Sequence, residues 1–144
     1  MSQSKPQPTP RRRVPIADGQ AAVATVLRHA QQQDQQHEAV CSPGPAQLIA
    51  GLSRPVIATA VRYLLEELTA RAPGNAVEVR VPPFGVTQAV AGPRHTRGTP
   101  PNVVEMTPAI FLGVATGLVP ADDVWDAVTA SGIRADLRAL FPLT

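Results

Sequence analysis

The sequence predicts an α+β domain, and three stretches carry that expectation. Residues 53–72 open with Ser53 and Pro55 and then repeat Val56, Ile57, Ala60, Val61, Leu64, Leu65 and Leu68 at spacings of three and four, the period of a helix with one apolar face. Residues 77–81, Val-Glu-Val-Arg-Val, alternate apolar with charged, the period of a strand with one wet face. Thr107-Pro108 opens a second strongly apolar helix by the same cap-then-proline logic. Helices and strands are intermixed along the chain, which is the α+β pattern. At 144 residues with 44% apolar content, there is material for one core and not for two.

In order, residues 1–15 read as a flexible basic tail, because Pro6, Pro8, Pro10 and Pro15 oppose helix and nothing there can build a core. The single domain then spans 16–144. A helix capped at Asp18 carries Ala22, Val23, Val26, Leu27 and Ala30 and frays into the Gln-rich tract 31–37. Residues 41–45, Cys-Ser-Pro-Gly-Pro, form a loop. After the helix at 53–72, Pro73-Gly74 makes the stop before the strand at 77–81. Residues 86–90 run back as its partner, with Val86, Gln88 and Val90 on one side. Residues 92–102 are a long polar loop and 103–106 a short strand. The helix from Pro108 ends at Gly117, and another starts at Pro120 or Ala121 with Asp122 and Asp123 at its positive end. An edge strand at 131–134 and a helical turn at 136–141 close the chain.

Charge and composition exclude several functions. Lys5, Arg11, Arg12 and Arg13 stand in residues 1–15 with no acid, whereas the rest carries nine arginines against eleven acids. The body is therefore mildly acidic, and with one Trp, one Tyr and three Phe it lacks the basic, aromatic surface of a nucleic-acid binder. Cys41 is the sole cysteine, so no internal disulfide or cysteine metal cluster can form. No apolar run approaches the roughly 20 residues that span a bilayer, and no export signal follows the arginines, so the expectation is a cytoplasmic protein without stable membrane insertion.

One segment concentrates polar chemistry. Residues 92–102 hold Arg94, His95, Thr96, Arg97 and Asn102, with Glu105 just beyond. Two guanidinium forks beside hydroxyl donors suit a phosphate or carboxylate; the plainer alternative is a polar loop whose arginines pair with Glu105 or a helix end. There is no Walker loop. His95 with Glu105 as its orienting group could serve as a general base, but no serine elbow or second acid accompanies them. His29, His37 and His95 are widely separated and make no metal set, and no cofactor motif occurs. The apolar residues Phe111, Val114, Leu118 and Trp125, with Leu137, Leu140 and Phe141, either enclose a cavity or fill a core. Glu66 and Glu67 read as a solvated face.

The segments Val77 through Phe84, Gly92 through Glu105 and Ala130 through Leu137 resemble the bacterial orthologue family of sterol carrier proteins, small stand-alone domains related to the type-two sterol carrier fold. A similar domain follows the catalytic part of mycothiol-dependent maleylpyruvate isomerases. The likeness runs from about Arg54 to Leu143, and its middle motif is the most specific part. It implies a small, mostly antiparallel sheet backed by helices, here with an added N-terminal helix, and an apolar tunnel in members that bind lipid. On that basis the expected function is a non-enzymatic binding module for a hydrophobic or amphipathic, lipid-like small molecule. Phe84, Phe111, Val114, Leu118 and Trp125, together with Leu137, Leu140 and Phe141, would line the apolar part, and Arg94, His95, Thr96, Arg97, Asn102 and Glu105 would meet the polar head. The alternative is an interaction domain with a filled core that docks a protein partner, and the least supported is an enzyme or enzyme subunit using His95. Oligomeric state is not legible.

Overall fold

The computed structural model describes residues 11–36, 44–92 and 102–144. Within them the chain forms α1 (Ile16–Gln36), α2 (Pro45–Ile49), α3 (Arg54–Arg71), β1 (Val77–Val81), β2 (Gly85–Ala89), β3 (Asn102–Glu105), α4 (Pro108–Thr116), α5 (Ala121–Val124) and β4 (Thr129–Ser131), with 3-10 turns at Trp125–Ala127 and Arg138–Leu140. The α+β class holds. The sheet has the order β2-β1-β3-β4 and is mixed. β1 pairs antiparallel with β2 and β3 with β4, while β1 and β3 run parallel with Val79 beside Val104. The parallel pair arises because the chain, after β2 at one edge, must cross to the far side of β1 before β3 begins.

Alternation in the strands sets the layers. Val77, Val79, Val81, Ala89 and Val104 are fully buried and face the helices, whereas Arg80, Val86 and Gln88 are exposed on the other side. α3 packs on β2 and α4, α1 packs on α3, and α2 packs on α4. Leu64, Leu68, Leu112 and Phe111 are among the largest side chains wholly removed from water, and burying each stabilises the fold by about 1.5–3 kcal/mol. Gly19 lets α1 lie against α3: a Cβ there would run into the Tyr63 ring and stand 2.7 Å from Tyr63 Cβ.

Several boundaries differ from the sequence reading. α1 starts at Ile16 and continues through the glutamines to Gln36, so Asp18 sits in its first turn and not at its cap. Glutamine is a good helix former, and an established helix propagates at little cost. The short α2 stands where no element was expected; five residues carry too little periodicity, and Leu48 is its one buried side chain. β2 stops at Ala89 because Val90 turns to φ 70. β4 precedes the predicted edge strand, since Gly132 at φ 103 ends it beside Asn102. Ser53 holds the capping position of α3 without a side-chain hydrogen bond, whereas the Thr107 hydroxyl does accept from the Ile110 N–H at the start of α4.

Candidate functional site

The residues just before α1 form one wall of a groove. The backbone bends at Arg13 and Val14, so two successive N–H groups, used by no helix, turn to the same side. Those of Arg13 and Val14 both donate to Glu66 Oε1 on α3, at 2.8 and 3.2 Å. The Arg12 guanidinium lies 2.6 Å from Glu67 Oε1 and 5.9 Å from the Tyr63 ring centroid. Residues 11–15, counted with the tail from sequence, are thus laid along α3. Burial, and secondly the Glu67 carboxylate, push the Tyr63 phenol up from its usual value.

Between this arm, α3 and β2 runs a groove of about 440 Å³. Val14, Leu65, Ala70 and Phe84 are its apolar lining, and Val86 borders it from the edge strand β2. Arg11, Arg12, Arg13 and Arg62 line it together with Glu66, the Arg12 guanidinium itself turning to Glu67. Phe84 is fixed at the β1–β2 connection: its carbonyl accepts from Arg62 Nε at 3.0 Å, and Arg54 stands 5.3 Å above its ring. The far end is closed by Thr69, whose hydroxyl contacts Thr87 Oγ1 at 2.7 Å and donates to the Gln88 carbonyl. A second groove of about 530 Å³ opens on the α1 side of the arm and shares Arg13, Val14 and Arg62. A third, about 310 Å³, lies beside Arg80, Pro82, Pro83 and Glu105 and shares Phe84.

The residues singled out from sequence fall into separate places. Arg94, His95, Thr96 and Arg97, like Cys41 and His37, lie outside the described residues. Asn102 bonds to backbone at both ends of its amide: Nδ2 donates to the Ala76 carbonyl, and Oδ1 accepts from the Arg134 N–H. Glu105 lines the third groove. Of the eight apolar candidates, Phe84 is the one that lines any of these three grooves. Phe111, Val114 and Leu137 are buried in the core; Trp125, Leu140 and Phe141 pack against it half-buried, and Leu118 is 37% exposed. Phe111 meets Phe141 edge-to-face, with centroids 6.3 Å apart and an interplanar angle of 84°.

Sequence reasoning missed Arg11, Arg12, Arg13, Arg62 and Glu66 as site residues. Their signal was present but faint: Arg62 and Glu66 are four apart and flank Leu65, so one side of the α3 stripe carries charge beside apolar surface. Glu66 is only part-exposed, and its Oε2 is buried with no hydrogen-bond partner among the described residues. Among the described residues no three His, Cys, Asp or Glu side chains are placed to hold a metal ion, and no helix is long and apolar enough to cross a membrane.

A mixed four-stranded sheet covered on one face by helices, with a helix added in front, defines a sterol-carrier-like domain. The profile of the family described as "Bacterial SCP ortholog" matches residues 53–143, well over half the chain, and the chain belongs to that family. No curated protein matches the chain significantly. The matched span begins at the cap of α3 and takes in all four strands. The floor of the groove is therefore family domain, while its arginine wall comes from the residues in front.

Proposed function

We propose that the chain is a non-enzymatic binding domain for a hydrophobic or amphipathic small molecule, taken up in the groove between the arm, α3 and β2. The observation that supports this is the pairing of the apolar residues Leu65, Ala70 and Phe84 with Arg11, Arg13 and Arg62 along one groove. Small-molecule sites generally combine apolar lining with a few placed polar groups, and the volume lies within their usual range. The test is the melting temperature and native mass spectrum of the full chain with decanoate. Ligand at about a hundred times its Kd adds about 2.7 kcal/mol of stability. Ala70→Glu, at an exposed position of α3 that lines the groove, sets a carboxylate against the ligand's own and removes the shift with decanoate. An unchanged melting temperature with anionic, neutral and cationic amphiphiles alike overturns the reading.

A second reading, an interaction domain with a filled core, has its own support. Phe111 and Phe141 interlock, and Val86 and Ile133 stand 57% and 97% exposed on the surface. Under that reading amphiphiles give no shift, and Ile133→Ser leaves the melting temperature unchanged while abolishing association with a protein partner.

A further inference from the structure

We propose that the strip of α3 beneath residues 11–14 is a docking site for a non-helical basic segment of a partner protein, which the chain's own arm occupies in the free state. The two larger grooves share Arg13, Val14 and Arg62, so the arm crosses what would otherwise be one trough running along α3. Its hold on that trough is generic. Two backbone N–H groups go to Glu66, one part-exposed ion pair joins Arg12 to Glu67, and Val14 packs half-buried against the core. Any segment with arginine, a spacer, an apolar residue and proline in that order, bent in the same way, reproduces every one of these interactions.

Charge identifies the occupant. Once the arm lifts, its three arginines leave, and Glu66 and Glu67 lie bare beside Tyr63 and Leu65 with Asp18 across the trough on α1, three carboxylates against the one arginine of α3 that lines both grooves, Arg62. That surface selects a cationic, partly apolar chain that is not helical. Exchange is favoured by a defect in the present fit, because Glu66 Oε2 is buried without a partner among the described residues. A buried acceptor left unpaired is costly, and a segment bringing one further donor removes that cost. Tethering through Pro15 keeps the arm at high effective concentration, so a partner must bind better than the arm to displace it. The inference goes beyond the small-molecule reading, since the segment takes the place of the arm and not of the groove beside it.

The experiment uses the full-length chain and a fluorescein-labelled peptide, Arg-Arg-Arg-Val-Pro-Ile, read by anisotropy. The variant Arg12→Glu/Val14→Asp weakens the arm's own hold, and the peptide then binds about tenfold or more tightly than to the wild type. Adding Glu66→Met, which removes the acceptor of both N–H groups, and Glu67→Gln abolishes that binding, and a peptide of the same residues in scrambled order binds about tenfold more weakly. Should the double arm variant lose its melting transition, Val14→Ser takes its place with the same expectation. Equal binding to wild type and arm variant, no binding to either, or equal binding of the scrambled peptide overturns the proposal. So does a wild-type chain that dimerises on concentration while the arm variant stays monomeric, which assigns the strip to the arm of a second copy.

Discussion

Replacing Phe111 with alanine tests whether the late helices are scaffold or chamber. Phe111 is fully buried in α4, within the cluster that includes Leu112, Val104 and Leu68, and meets Phe141 edge-to-face. Removing its ring loses the transfer free energy and leaves a void, a combined cost of about 3–5 kcal/mol. The aromatic pair adds about 0.5–1.5 kcal/mol beyond its area. Against a total stability of about 5–15 kcal/mol, this is a large fraction, equivalent to a fall in Tm of about 10 °C for a chain of this length. Urea unfolding followed by the fluorescence of Trp125, the single tryptophan, measures it directly. Leu118→Ala, at a residue 37% exposed, is the control and costs less than about 1 kcal/mol. If Phe111→Ala also costs less than about 1 kcal/mol with an unchanged m-value, the ring borders a space and the filled-core account of these helices is wrong.

Other expectations follow from single interactions. Gly19→Ala drives a methyl group into Tyr63 and lowers stability by about 1–3 kcal/mol; a melting temperature equal to the wild type would refute the close approach of α1 to α3. Thr107→Ala removes a side-chain bond to the Ile110 N–H and costs about 1 kcal/mol, whereas Ser53→Ala, lacking such a bond, is close to neutral in the same chemical denaturation. Hydrogen bonds and charge from Arg138 hold the Asp136 carboxyl down at about 2 against an ordinary 3.8. A lowered acid stabilises above its ordinary value and loses that contribution as pH falls through the folded one, so NMR titration gives a midpoint near 2 that returns toward 3.8 in Arg138→Gln. The single tyrosine, Tyr63, titrates above 10.0 by absorbance and moves down in Glu67→Gln; no movement would remove Glu67 from its surroundings.

What the sequence made legible depended on periodicity and caps. The stripe from Val56 to Leu68, the alternation at Val77–Val81 and the Thr107-Pro108 start each describe local backbone, and each stands in the structure within a residue or two. Three things were not legible for physical reasons. The parallel pairing of β1 with β3 depends on a connection whose path no local pattern encodes. The β4 boundary is set by Gly132 meeting Asn102, a contact between residues far apart in the chain. The groove depends on the arm folding back across about fifty residues to Glu66; an arginine in a proline-rich stretch looks the same whether it is solvated or docked. Phe84 was legible as an apolar lining candidate, but its neighbours in the groove were sought in the late helices instead of on α3.

The glutamine end of α1 has a thermal consequence. Of residues 31–36, none is buried and only Gln33 is partly covered, so these last turns rest on backbone bonding and intrinsic preference with almost no tertiary support. Their amides exchange with solvent by local fraying, well before those around Val23 and Val26. On warming, far-ultraviolet ellipticity therefore slopes downward ahead of the cooperative transition, while tryptophan emission stays flat until the whole domain gives way.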